Sequence, residues 1–280
     1  MRIAAWMVVR NDAYYVDMAI RSLAGHVDGI VVVDTGSTDD TKEKLQQMHG
    51  LDILVLEKDF GGTGRFEDGY REAEARNYAM KQTIQAFDPD WLVQIDADEV
   101  YNDRFWECVK DAYATGAQGF GHPTSMPVTP DLVSSHPLDM QIWDGKWKLF
   151  DPHVRSWDAR LQVTWVKPEG GHVIPVGACH NYVTSDDVHF HLHRSFGPKS
   201  LHAWFTNFEK GWEDAAENLG VSPERINDQE WFEEKYPERF ISGKFVPPAE
   251  VLLSRMKYVK ETSHLLPEFV VSKWKEWQAE

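Results

Sequence analysis

The chain opens on an unbroken apolar run, Ile3 to Val9, which reads as a strand covered on both faces. Asp12 follows as a helix cap. Met18, Ala19 and Leu23 lie at helical spacing behind it, and Gly25 is a stop. Gly29 to Val33 repeats the buried-strand pattern. Ser37 or Thr38 caps the next helix, Asp39 and Asp40 suit its positive first turn, and Gly50 ends it beyond Met48. Residues 51–56 read as a third strand and 57–69, rich in glycine and without periodicity, as a loop. Ala73, Asn77, Met80 and Ile84 mark a helix over 70–87, broken by Asp88-Pro89-Asp90. A fourth buried strand, 91–95, ends in Asp96-Ala97-Asp98-Glu99.

Strand and helix therefore alternate through the first hundred residues, which predicts an α/β fold on a mostly parallel central sheet flanked by helices, with right-handed crossovers. In such sheets ligands bind beyond the carboxyl ends of the strands. Asp34 follows the second strand, and Asp96 and Asp98 follow the fourth. Further on, 105–114 reads as a helix stopped at Gly116, and 119–188 as short antiparallel strands with long loops. The last eighty residues read as helices broken at Gly220, Pro237 and Pro247-Pro248.

Composition narrows the function classes. Of the 280 residues 42% are hydrophobic, enough for a sizeable core rather than a disordered chain. The formal charge of −16 repels polyanions and argues against a nucleic-acid partner, while a small anionic ligand held through a metal stays compatible with it. The two cysteines, Cys108 and Cys179, have no motif spacing, which fits a reducing compartment. With no apolar stretch of membrane-spanning length and no signal-peptide pattern, the expectation is a soluble cytoplasmic protein. Of the 12 tryptophans, Trp143, Trp147, Trp157 and Trp165 cluster in the second half, where core filling is the plainer role and sugar stacking the sharper one.

Two carboxylates one residue apart, just past a buried strand, can point into one cleft and offer the oxygens that Mg²⁺ or Mn²⁺ prefers. A cation there would neutralise a departing diphosphate. Arg76 has a plainer reading as a helix arginine paired with Glu72 four residues before it. His189, His191 and His193 alternate and would share one face of a strand, a pattern that invites a metal reading or a polar edge strand.

Four blocks, Met7-Val8-Val9-Arg10-Asn11-Asp12, Val31-Val32-Val33-Asp34-Thr35-Gly36-Ser37-Thr38-Asp39, Glu74-Ala75-Arg76-Asn77-Tyr78-Ala79 and Trp91 to Glu99, resemble in order and spacing the motif series of family 2 glycosyltransferases. The resemblance spans residues 3 to about 100. It implies the GT-A fold, a nucleotide-diphospho-sugar transferase architecture, and a nucleotide-sugar donor, most often a UDP-sugar. It also implies an inverting, metal-dependent transfer to a glycan, protein or small-molecule acceptor. By that likeness Val9, Arg10, Asn11, Asp34, Thr35, Gly36 and Ser37 line the donor site. Asp34 and Thr35 would meet the nucleoside, Arg76 the base or diphosphate, and Asp96, Ala97 and Asp98 the ribose and metal. Many relatives carry two acids where Asp34-Thr35 stands. The likeness also places a late histidine on the cation, His193 first and His191 second. Arg194 and Lys199 read either as helpers at the phosphates or as solvated surface charge.

An inverting transfer needs a base for the acceptor hydroxyl. The stretch Pro168-Glu169-Gly170-Gly171-His172 lacks the His-Glu pair of similar enzymes, so Glu169, then Asp186 and Asp187, are the candidates. The expected layout is a catalytic domain over 1–200, with a nucleotide-sugar half (1–100) and an acceptor half (101–200). A helical extension over 201–280 would shape the acceptor site or mediate self-association. Two rivals remain: a nucleotidyltransferase of the same architecture, which usually carries a glycine-rich loop after its first strand, and a catalytically silent sugar-binding protein.

Overall fold

The structure is a computed structural model that describes residues 1–48, 51–61, 69–122, 124–129, 132–135, 140–143, 146–149, 155–168, 173–178, 181–184, 186, 188–192, 234, 240–241, 244–245, 259–261 and 266–279. It divides into two compact units, 1–123 with 137–189, and 124–136 with 190–280.

The first unit begins with β1 (Ile3–Val9), α1 (Val16–Arg21), β2 (Gly29–Asp34), α2 (Thr41–Gln46), β3 (Ile53–Glu57), α3 (Gly69–Phe87), β4 (Trp91–Gln94), β5 (Glu99–Tyr101), α4 (Asp103–Ala114) and β6 (Gly119–Gly121). In the second unit β7 (Thr124–Thr129) and β8 (Leu132–Ser135) pair antiparallel. The first unit resumes with the antiparallel pair β9 (Met140–Trp143) and β10 (Lys146–Leu149), then β11 (Ser156–Asp158). The antiparallel pair β12 (Thr164–Val166) and β13 (Ile174–Val176) follows, and then β14 (Tyr182–Val183). Strand β15 (His189–His191) comes next along the chain. The rest of the second unit holds the hairpin β16 (Phe240–Ile241) and β17 (Lys244–Phe245), β18 (Val259–Glu261) paired antiparallel with β8, and α5 (Glu268–Ala279). The described part of the last eighty residues thus carries short strands beside the expected helix.

A seven-stranded sheet in the order β14-β6-β11-β4-β1-β2-β3 forms the centre of the first unit. β1 pairs parallel with β2 and β4, and β2 pairs parallel with β3. β11 enters antiparallel between β4 and β6. The mostly parallel α/β sheet is the one the alternation of elements predicts. Its two faces explain the unbroken apolar runs. Ala5, Met7 and Val9 of β1 pack with Val16, Ala19 and Ile20 of α1 and Phe105, Trp106 and Val109 of α4. Trp6, Val31 and Val33 face the other way, onto Ala73, Ala79 and Met80 of α3 with Trp157 and Trp165. Both of these tryptophans are core residues, and Trp6 meets Trp165 edge-on at 5.7 Å. β2 passes so close beneath α3 that a Cβ on Gly29 would lie 2.2 Å from the Phe87 ring.

Two helix starts differ from the pattern reading. Asp12 does not cap α1 with its side chain. Its carboxylate turns back to accept the Arg10 N–H (2.9 Å), its carbonyl accepts from Tyr15 and Val16, and the helix begins at Val16. Asn11, at φ 56, makes that turn. Ser37 and Thr38 do not cap α2, which starts at Thr41, because both are drawn onto Asn11. The short strand β5, directly after the acidic motif, is also absent from the sequence reading. Among the described residues no helix is long and apolar enough to cross a membrane.

Candidate active site

The carboxyl ends of β1, β2 and β4 form one rim of the first unit. Its first half is two loops laced together by short polar side chains. The Val9 carbonyl accepts from the Thr35 N–H (3.0 Å) and hydroxyl (3.1 Å). The Ser37 hydroxyl accepts the Asn11 N–H at 3.0 Å, and the Asn11 side-chain oxygen accepts the Thr38 N–H at 2.7 Å. The Thr41 hydroxyl accepts the Asp12 N–H at 2.8 Å. Asp39 accepts from Thr41 and from the Ala13 N–H; burial works against its charge, but these hydrogen bonds outweigh it and hold its pKa below the ordinary carboxylate value. The motif residues of both loops therefore fix backbone first.

Asp34 ends β2 at 1% exposure. Its Oδ1 accepts the Gly36 and Ser37 N–H groups, each at 2.7 Å, which folds the chain sharply at Gly36 (φ 104). Among the described residues a Cβ built on Gly36 meets nothing within 4 Å, so glycine is there for the backbone angle, and open space lies above it. The other oxygen, Asp34 Oδ2, is buried with no hydrogen-bond partner among the described residues.

The second half of the rim is built around Asp96. Its Oδ1 accepts from Gln94 Nε2 (2.7 Å) and Arg76 Nη2 (3.0 Å), and its Oδ2 from Arg155 Nη2 (3.0 Å). Arg76 comes from α3, with 11% of its side chain exposed. Its Nε donates to Glu72 at 2.8 Å and its guanidinium lies 4.9 Å from the Trp165 ring centre. Asn77 explains that placement. Its side chain clamps the Trp165 backbone at both its N–H and its carbonyl, each at 2.8 Å, and so pins the ring beside Arg76. Burial opposes the charge on Arg76, but Asp96 and Glu72 outweigh it and raise its pKa above the ordinary arginine value. Arg76 thus pairs both with Glu72 on its own helix and with Asp96 on the rim. Its Nη1 is buried and without a hydrogen-bond partner among the described residues.

Sequence reasoning missed three members of this cluster, Gln94, Arg155 and Glu99 as a buried anchor; the fourth, His189, it had placed only on a strand face shared with His191 and His193. Arg155 also pairs with Gln94 and with Glu99, and Glu99 is fully buried. His189 Nε2 stands 3.2 Å from Glu99, inside the unit. No signal in the sequence marks Arg155, which lies 59 positions beyond Asp96.

A hard divalent cation takes oxygen ligands and often no more than one or two protein carboxylates. Oxygens of Asp96 and Glu99 come within 4.8 Å of each other, but Asp96 has an N–H on both of its oxygens and Glu99 is held by Arg155. Asp98 lies half-buried in the same turn, beyond the buried Ala97. The carboxylate oxygens of this turn are ligands of the kind a hard divalent cation takes. His191 ends β15 and belongs to the second unit, and Asp186 is exposed and accepts from Arg104 Nε at 2.9 Å. Glu169, Asp187, His193, Arg194 and Lys199 lie outside the described residues.

Comparison with known proteins extends these observations. Residues 5–123 match the family described as Glycosyl transferase family 2. An uncharacterised glycosyltransferase of Rickettsia felis is 27% identical over 117 residues, 42% of this chain and 36% of that protein. The chain thus spans about a third of the length of this curated relative. Staphylococcus aureus TarS, residues 1–349 in complex with UDP, superposes with a TM-score of 0.47 at 15% identity over 87% of this chain and 74% of that one. Glucosyl-3-phosphoglycerate synthase from Mycobacterium tuberculosis, in complex with Mn²⁺, UDP and glucosyl-3-phosphoglycerate, gives 0.32 at 22% identity over 44% of each chain. The stretch that matches this family, residues 5–123, is the one that carries β1 to β6, both loops of the rim and the acidic turn.

Proposed function

We propose that this chain is a glycosyltransferase that moves a sugar from a nucleoside diphosphate sugar, a UDP-sugar first among them, to an acceptor hydroxyl with inversion. The observation that carries the reading is a pair of buried groups on one rim that have no hydrogen-bond partner among the described residues, the acceptor Asp34 Oδ2 and the donor Arg76 Nη1. A buried polar atom without a partner is costly, about 1–3 kcal/mol, and a ligand that supplies the partner removes the penalty. A nucleoside diphosphate carries both complements: base or ribose N–H and O–H groups for Asp34, and phosphate oxygens for Arg76.

In this reading the open space above Gly36 lets the nucleoside approach the backbone, and Val9, Arg10, Asn11, Thr35 and Ser37 set the wall of its pocket. Asp96 accepts from the ribose while the arginines hold it in place. Asp98 ligates Mn²⁺ or Mg²⁺, with His193 or His191 as the imidazole donor. The cation supplies Lewis-acid neutralisation of the departing diphosphate. Glu169, Asp186 or Asp187 takes the proton from the acceptor hydroxyl. Residues 1–200 make the catalytic domain in this proposal.

The test is release of UDP from UDP-sugars in the presence of Mn²⁺, for the wild type and Asp98→Ala. The reading expects release that the variant loses. Pyrophosphate as the product would replace it with a nucleotidyltransferase, and no turnover of any donor would leave a sugar-binding protein.

A further inference from the structure

We infer that Asn77 and Trp165 are positioning residues for the donor diphosphate: Asn77 fixes Trp165, and the fixed ring holds the Arg76 guanidinium so that its Nη1 serves the phosphate oxygens. The inference rests on the donor-site reading above.

Trp165 sits in β12 at 2% exposure. Opposite it across the β12–β13 pair stands Pro175, which has no N–H to give. The Asn77 carboxamide supplies one instead. Its Nδ2 donates to the Trp165 carbonyl and its Oδ1 accepts the Trp165 N–H, each at 2.8 Å. A backbone N–H and C=O gripped together are held as a neighbouring strand would hold them. Trp6 meets the ring edge-on at 5.7 Å, and Trp157 lies 6.4 Å away between ring centres. The ring is therefore fixed on several sides, and the Arg76 guanidinium lies over it, 4.9 Å from its centre.

Two features separate this arrangement from plain core packing. First, the guanidinium is held at two donors and one face. Its Nε donates to Glu72 at 2.8 Å, its Nη2 reaches Asp96 at 3.0 Å, and its plane has the ring beside it. A planar fork held in that way has one direction left for Nη1. That atom is buried with no hydrogen-bond partner among the described residues. Second, the three anchors differ. The Glu72 side chain is 46% exposed, and a pair of that kind holds geometry weakly. Asp96 serves the ribose in the donor reading and keeps the N–H groups of Gln94 and Arg155 wherever Arg76 stands. The ring is the buried anchor that acts on Arg76 and on neither acid. Loosening it misplaces the phosphate contact and leaves Asp34 and Asp96 to hold the nucleoside.

The probes are UDP and uridine, both with MnCl₂ present, and the readout is the affinity of each by calorimetry. Asn77→Ala frees the Trp165 backbone. Trp165→Leu keeps both backbone clamps and removes the π face, and Trp165→Phe restores a face. A cooperative melt of each unliganded variant checks its fold, and Trp165→Phe carries the test alone if the other two do not fold. For UDP the inference expects a loss of about 10-fold in Asn77→Ala and Trp165→Leu, the scale of one weakened charge-assisted hydrogen bond, and about 3-fold in Trp165→Phe. For uridine it expects a change within about twofold in all three. Equal weakening of both probes would mean a structural role and overturn the inference, as would variants that bind UDP like the wild type. A wild type that binds UDP no better than uridine would also overturn it, because no phosphate contact would then exist to position. A wild type that binds neither probe would overturn the donor-site reading itself, and the inference with it.

Discussion

Replacing Arg76 by methionine keeps the stem's apolar contacts and deletes the charge, and the structure sets the size of the effect. Breaking a buried ion pair by removing one partner costs about 3–5 kcal/mol when the other charge is stranded. Asp96 is not stranded here, because Gln94 and Arg155 still donate to it, so the loss falls at or below the low end of that range. The link to Glu72, whose side chain is 46% exposed, adds only about 0.3–0.5 kcal/mol. The contact with the Trp165 face at 4.9 Å adds roughly 0.5–1 kcal/mol. One buried N–H without a partner disappears with the side chain and offsets part of the loss. The expected destabilisation is about 2–3 kcal/mol. Urea unfolding at neutral pH measures it as a lower midpoint at unchanged slope. A change below about 0.5 kcal/mol would refute the reasoning, since that is the range of an ordinary surface substitution.

Asn77→Ala removes both clamps on the Trp165 backbone and is expected to cost about 2–3 kcal/mol in the same assay. Its effect should not add to that of Arg76→Met in the double variant, because Trp165 links them; simple additivity would contradict the clamp's role. Gly36→Ala, at φ 104 with open space around the new methyl, is expected to lose about 1–2 kcal/mol from backbone strain alone, read as a lower melting temperature. His26 stacks on Trp106 with ring centres 5.0 Å apart, and burial lowers its pKa from 6.5 despite Asp103 at 3.3 Å. The unfolded chain therefore holds that proton more tightly than the folded one. The stability from neutral His26 is fully present above about pH 6.5 and is lost as pH falls through the lower folded value. Stability profiles of wild type and His26→Gln should accordingly diverge less below pH 6.5 than above it; parallel profiles would refute the assignment.

The parallel half of the fold was legible because strands buried on both faces leave continuous apolar runs, as in Ile3–Val9 and Gly29–Asp34. The rim was legible for the same geometric reason: Asp34 closes β2 and Asp96 lies just past β4, both at the carboxyl ends of strands. The local chemistry of the loops was not. Asp12, Ser37 and Thr38 have the composition of helix caps, yet Asp12 turns its carboxylate back to the Arg10 N–H while Ser37 and Thr38 find Asn11 in the neighbouring loop, and no local rule ranks a tertiary hydrogen bond above a cap. Arg155 was invisible because an antiparallel strand returning from far along the chain delivers it, and a lone arginine before a three-residue strand carries no pattern. Asn77 was visible as a helix position and as part of a motif, without a task. The structure gives its task, which is to hold a tryptophan under the arginine beside it in sequence.

The most direct test is diffraction from crystals soaked with MnCl₂ and UDP, with data collected at the manganese absorption edge. The account predicts an anomalous peak in contact with the Asp98 carboxylate and a diphosphate oxygen, with uridine against Asp34 and Gly36 and with Arg155 still on Asp96. An empty rim, or manganese on Asp96 with Arg155 displaced, would contradict it.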